Sequence, residues 1–143
     1  NTFDIPQILI KKANGSYALS GYSLNSVGEI ESSWIINSDI SGNDLSTIII
    51  SGDNYVYDLI ENSNGDYIIT GKKFSGNDYQ GWIACIDIQG NIVWEKIYGD
   101  GDNALLRSIK QTSDGGFIVT GETQVNGISS ILHLKTDPDG NIY

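Results

Sequence analysis

Asn64-Gly-Asp-Tyr-Ile-Ile-Thr-Gly71 has two counterparts, Asn14-Gly-Ser-Tyr-Ala-Leu-Ser-Gly21 fifty residues before it and Asp114-Gly-Gly-Phe-Ile-Val-Thr-Gly121 fifty residues after. Each opens on Asn-Gly or Asp-Gly, a pair that supplies the positive φ of a tight turn. An aromatic and aliphatic strand follows and is expected to stop at the second Gly. The chain therefore reads as a repeat array within one domain, 1–143, with repeats at about 4–53, 54–103 and 104–143. The segments entering the turn, Ile5 to Ala13, Tyr55 to Ser63 and Leu105 to Ser113, align without a gap. In the second, Tyr55, Tyr57, Leu59 and Glu61 alternate with Val56, Asp58, Ile60 and Asn62, so neither side is cleanly polar and a strand covered on both faces is expected.

Past the second Gly the copies differ in length over Tyr22 to Ser33, Lys72 to Gly81 and Glu122 to Ser130 or Ile131. Insertions collect where backbone is exposed, so these segments read as variable loops on one common face. Their non-recurring Tyr22, Glu29, Glu31, Asp78, Tyr79 and Glu122 are the candidate ligand-binding residues. A third strand follows, Trp34 to Asp39, Trp82 to Asp87 and Leu132 to Asp137, each ending in Asp-x-x-Gly-Asn. Such an Asp accepts from turn N–H groups, which makes the motif a second hairpin. A fourth strand, 44–50 and 92–98, leads to a Gly/Asp/Asn loop.

Four short strands per repeat, each joined to the next by a turn, predict an all-β chain. The expected form is a β-propeller segment of three four-stranded antiparallel blades. Trp82-Ile-Ala-Cys-Ile-Asp-Ile-Gln-Gly-Asn-Ile-Val-Trp94 resembles the blade repeat of PQQ-like and related propellers. Ser108 to Gly121 is similar to repeats of large secreted or surface propellers of bacteria and archaea. The pattern departs at Ser46, which stands where Trp94 would recur. This resemblance implies architecture and an extracellular or cell-surface setting. A β-trefoil is the rival, but copy three lacks most of its fourth strand and no Gln-x-Trp motif of trefoil lectins is present.

Composition narrows the function classes. Eight basic against eighteen acidic residues give a net charge of −10, which repels nucleic-acid phosphates and anionic lipid headgroups. No apolar run approaches the ~20 residues needed to span a bilayer as a helix. The single Cys85 cannot form an internal disulfide. Asn1 at the start and Met 0 suggest a processed chain or a slice of a longer one. Joining 141–143 to 1–3 supplies six residues where copy two uses thirteen, 91–103, so flanking blades or a homo-oligomer are expected to close the propeller.

No catalytic constellation is visible. His133, the one histidine, occupies the position of Ile35 and Ile83 and is expected to be a buried or half-buried strand residue. Cys85 lies between Ala84 and Ile86 and reads as a packed, inert thiol. Asp39, Asp87 and Asp137 recur at one turn, which favours structure over acid–base work. Oxygen ligands alternate in Asp100, Asp102, Asn103 and in Asp137, Asp139, Asn141, as Ca²⁺ prefers, although hairpin turns account for both stretches. No other cofactor is suggested. The reading is a non-catalytic binding or scaffolding module for a protein or glycan. The alternative is a fragment of a glycan-active or quinone-linked propeller enzyme whose catalytic residues lie elsewhere. Aromatic residues gathered on one face would favour binding, and an acidic or histidine cluster would favour the enzyme.

Overall fold

The computed structural model describes residues 2–99 and 103–143 and contains eleven strands. The first sheet is β1 (Phe3–Lys11), β2 (Tyr17–Leu24), β3 (Ile30–Ser38) and β4 (Asp44–Ser51). The second is β5 (Asn54–Glu61), β6 (Tyr67–Ser75), β7 (Asp78–Ile86) and β8 (Ile92–Tyr98). The third is β9 (Ala104–Gln111), β10 (Phe117–Val125) and β11 (Ile128–Thr136), continued by a bridge from Thr136 to Ile142. Within each sheet every strand pairs antiparallel with its sequence neighbour, giving three meanders, and no sheet closes on itself. No helix occurs among the described residues.

The repeated turns have one geometry. In the first, the Gly15 N–H donates to the Lys12 carbonyl at 2.9 Å and the Lys12 N–H to the Ser16 carbonyl at 2.8 Å. Gly15, Gly65 and Gly115 carry φ of 87°, 85° and 83°, and the Asn or Asp before each does not share the positive φ. The Asp-x-x-Gly-Asn turns add a clasp. Asp39 Oδ1 accepts from the Ser41 and Asn43 N–H groups, and Oδ2 accepts from Asn43 Nδ2 at 2.8 Å. Asp87 and Asp137 repeat these bonds with Gln89 and Asn91, and with Asp139 and Asn141. Because the bonds favour the charged carboxylate, all three aspartates are held below the usual range, the Asn side-chain donor being the largest cause.

Two expectations are corrected. The variable segments are long hairpins, since β2 runs to Leu24, β6 to Ser75 and β10 to Val125 before each partner returns. Their unequal lengths come from the turns: Asn126 and Gly127 both take positive φ, 52° and 75°, in a two-residue turn that matches strand twist, whereas residues 25–29 form a wider one. Nor does the strand stop at the second Gly. Gly21, Gly71 and Gly121 lie inside β2, β6 and β10 without positive φ, each beside a register slip in the preceding strand.

Successive sheets pack face to face. Ala18, Ile35, Ile48 and Ile50 of the first sheet meet Leu59, Tyr67, Ile69, Trp82, Ala84 and Ile86 of the second. The other side of the second sheet, with Ile68, Ile83 and Cys85, meets Leu106, Ile109, Phe117 and Val119 of the third. The middle sheet is thus covered on both faces, and β5 buries Val56, Asp58 and Leu59. Asp58 accepts from Ser108 Oγ at 3.0 Å and from the Ile109 N–H at 2.9 Å, tying β5 to β9. His133, expected at least half-buried, is exposed, because its face of the third sheet has no sheet against it while Ile35 and Ile83 are fully covered.

Candidate functional site

The register slips explain the repeated glycines and create the site. Pro6 pairs with Gly21 and Ile8 with Ser20, so Gln7 is an extra residue. Tyr57 is the extra residue between Val56 and Asp58, and Arg107 the one between Leu106 and Ser108. Each such β-bulge bends the strand and re-aims a side chain. It also drives the preceding backbone against the partner strand. A Cβ on Gly71 would lie 1.7 Å from the Tyr55 carbonyl oxygen, one on Gly21 2.2 Å from that of Ile5, and one on Gly121 2.0 Å from that of Leu105. The second Gly is therefore required by close approach, not by a left-handed conformation.

The bulged position reads Gln7, Tyr57, Arg107, and the residue following the repeated Gly reads Tyr22, Lys72, Glu122. The same backbone thus presents aromatic, cationic and anionic groups to one region. Tyr22 from the first sheet meets Tyr55 edge-on at 4.9 Å and Tyr57 at 6.4 Å. Tyr55 meets Tyr79 at 5.5 Å, and Phe74 meets Tyr79 at 5.4 Å. Lys72 Nζ sits 4.4 Å from the Tyr55 ring centroid and 4.1 Å from that of Tyr79, a cation held between two π faces. Arg107 of the third sheet approaches the Tyr57 ring at 5.7 Å and pairs with Glu122 at 2.6 Å. The cluster spans all three sheets.

Beside it opens a cleft of ≈ 460 Å³ lined by Gly28, Glu29, Ile30, Asp53, Tyr55 and Tyr79. Asp53 Oδ1 accepts from the Tyr79 hydroxyl at 2.7 Å, and Asn25 positions Glu29 through its Oδ1 and Nδ2. Burial pushes Tyr57 up to about 12, with neighbouring Tyr22 adding to it. Burial also raises Tyr22 and Tyr79, the latter further through its bond to Asp53, and lowers Lys72. At neutral pH the site is a set of neutral phenols with one lysine between them and two carboxylates at the rim.

Of the residues singled out from the sequence, Glu29 and Tyr79 line this cleft, Tyr22 meets Tyr55 of its wall, and Glu122 joins the neighbouring cluster through Arg107. Glu31 is exposed on β3, and Asp78 is half-buried opposite Ser75 across the hairpin turn. Neither lines the cleft. Asp53 and Tyr55 complete the cleft, Tyr57, Lys72 and Arg107 complete the cluster beside it, and none of the five was singled out. The signal for Tyr57 and Arg107 was their failure to recur at matched positions.

Of the candidate metal ligands, Asp100 and Asp102 lie outside the described residues. Asp137 and Asn141 are engaged with each other in the turn clasp, and Asp139 is exposed beside them. Among the described residues no three His, Cys, Asp or Glu side chains gather closely enough to hold a metal ion. Cys85 is buried between the second and third sheets, and burial pushes its thiol up to about 11. No helix among the described residues is long and apolar enough to cross a membrane. No protein-family model matches the chain, and no curated protein matches it.

Proposed function

We propose that the chain is a segment of a β-propeller, three blades in succession, that acts as a non-catalytic glycan-binding module in an extracellular or cell-surface setting. Supporting the propeller reading, each meander's first strand packs on the preceding sheet, β5 on β1 to β3 and β9 on β5 to β7, as in blades arranged around an axis. The separate sheets argue against the closed barrel of a trefoil.

One observation carries the functional reading: four tyrosines from two sheets form a contiguous cluster, with Lys72 between two of them, beside a cleft whose rim holds Glu29 and Asp53. Tyrosine faces cover the C–H faces of sugar rings, and carboxylates accept from sugar hydroxyls. The symmetry of the array breaks here with aromatic groups, where an acid–base enzyme would place an acidic or histidine cluster. Calorimetric titration with a panel of neutral oligosaccharides tests this. At least one is expected to bind, and Tyr79→Ala, in a protein whose circular dichroism is unchanged, is expected to weaken it about tenfold, close to 1.4 kcal/mol. Absence of binding across the panel, or full affinity in Tyr79→Ala, would overturn the assignment.

A further inference from the structure

At the turn end, the junction of the first and second sheets and that of the second and third are built from equivalent positions but finished differently. In the first junction Lys12 crosses the gap. Its Nζ donates to the Tyr67 hydroxyl at 2.7 Å, lies 4.9 Å from the Tyr67 ring centroid and sits 3.8 Å from Glu61 Oε1. Glu61 Oε2 also accepts from the Ala13 N–H at 2.7 Å, and the Tyr67 hydroxyl donates to Asn37 Oδ1. One repeat further on, Lys12 is replaced by Asn62, Glu61 by Gln111, Tyr67 by Phe117 and Asn37 by Cys85. Asn62 Oδ1 is folded back on its own turn, where it accepts from the Asn64 and Asp66 N–H groups at 2.9 and 3.0 Å. Gln111 Nε2 likewise turns to the Gly115 carbonyl of its own hairpin, at 3.2 Å. Phe117 has no hydroxyl with which to bridge.

The second junction therefore holds a cleft of ≈ 410 Å³, whose walls include Cys85, Trp94, Phe117 and Pro138 and whose rim carries Asp66 and Asp139. Trp94, where the first sheet has only Ser46, sets its ring 6.2 Å from that of Phe117. Among the described residues neither Asp66 nor Asp139 is in an ion pair. The cations nearby serve other carboxylates: Lys135 pairs with Asp114 at 2.8 Å, and Lys96 favours the charged form of Asp137. We infer that this cleft is a second binding site, which takes the alkylammonium group of a lysine side chain from a protein partner in the place that Lys12 fills within the chain at the first junction. The four-carbon stem of such a lysine lies along Trp94, Phe117 and Pro138. Its ammonium is attracted by the two aromatic faces and reaches the rim carboxylates. The net charge of −10 draws a basic partner to this surface. The site lies at the opposite end of the sheets from the tyrosine cluster, and it stands whether or not that cluster binds a glycan.

The test is an NMR titration of the isotope-labelled 143-residue chain with a capped Gly/Ser peptide holding one central lysine, and with the same peptide carrying norleucine in its place. The lysine peptide is expected to shift the Trp94 indole and the amides of Cys85 and Phe117, and the norleucine peptide, which keeps the stem without the charge, to bind about tenfold more weakly or worse. Asn62→Lys supplies an ammonium from within, as Lys12 does, and should weaken the lysine peptide by about tenfold or more. Asn62→Ala loses the same turn bonds without filling the cleft and should bind as the native chain does. Shifts scattered over the acidic surface, or none, would overturn the assignment. So would equal binding of the norleucine peptide, undiminished binding by Asn62→Lys, or a loss in Asn62→Ala as large as that in Asn62→Lys.

Discussion

The two ends of the sheets use one backbone in opposite ways. At the end holding the repeated turns, the residues themselves recur: Gly15, Gly65 and Gly115 at positive φ, and Asp39, Asp87 and Asp137 each clasping an Asn. At the other end only the backbone recurs. A bulge faces a glycine in every sheet, but the bulged residue is Gln7, Tyr57 or Arg107 and the residue after that glycine is Tyr22, Lys72 or Glu122. Repetition thus marks what the fold needs, and its failure marks where chemistry has been placed on that fold.

The largest expected effect tests whether the glycines of the two ends have different duties. Gly71→Ala sets a Cβ against the Tyr55 carbonyl and should cost about 3 kcal/mol or more in urea unfolding. Gly65→Ala has open space and pays only for φ of 85°, about 1 kcal/mol. Equal costs would mean that the bulge relaxes and that the glycine opposite it is not the scaffold of the variable end.

A second variant separates that scaffold from sheet-to-sheet attachment. Asp58 follows the bulged Tyr57 and is the acceptor for Ser108 and Ile109 of the next sheet. Asp58→Ala leaves the buried Ile109 N–H unpaired and should cost about 2 kcal/mol, with Asp58→Asn recovering part of it. If amide exchange of Ile109 is unchanged in Asp58→Ala, the bond does not join the sheets.

The subtlest distinction is in pH. The turn aspartates have folded values below their ordinary 3.8, so their contribution is complete above that value and is lost as pH falls through the lowered ones. Tyr22, Tyr57 and Tyr79 have folded values above 10.0, so theirs is complete below pH 10 and is lost as pH rises through the raised ones. Thermal melts should therefore be flat through the neutral range, with losses at both extremes. Tyrosinate absorbance should show a fraction titrating late. Ionisation of every tyrosine together near its ordinary value would remove the half-buried aromatic cluster from the account.

The turn end was legible because Asn-Gly, Asp-Gly and Asp-x-x-Gly-Asn act through bonds spanning at most five residues. Strand order followed from those turns. The variable end was legible only in part. Tyr22 and Tyr79 stood out by not recurring, but Tyr55, Tyr57, Lys72 and Arg107 meet across sheets, and a bulge shifts the two-residue alternation that would have assigned their faces. The mixed pattern over Tyr55 to Asn62 reflects both that extra residue and the expected burial on both sides, which the packing of the middle sheet bears out. Gly71 was read as a stop because a glycine with no turn beside it has no local explanation. Its cause, the Tyr55 carbonyl, belongs to another strand. His133 was misplaced because equivalence to Ile35 and Ile83 assumed an equivalent neighbour.

Cys85 turns the second interface into a clock. The thiol is 3% exposed among residues of the second and third sheets, and burial pushes its titration up to about 11, which keeps it protonated at neutral pH. The thiol lines a cleft of ≈ 410 Å³ with Asp66, Trp94, Phe117 and Pro138, so the rate of labelling by a thiol-specific reagent measures how closely the groove between those sheets stays shut. As the chain's single cysteine, it reports that closure with no competing signal.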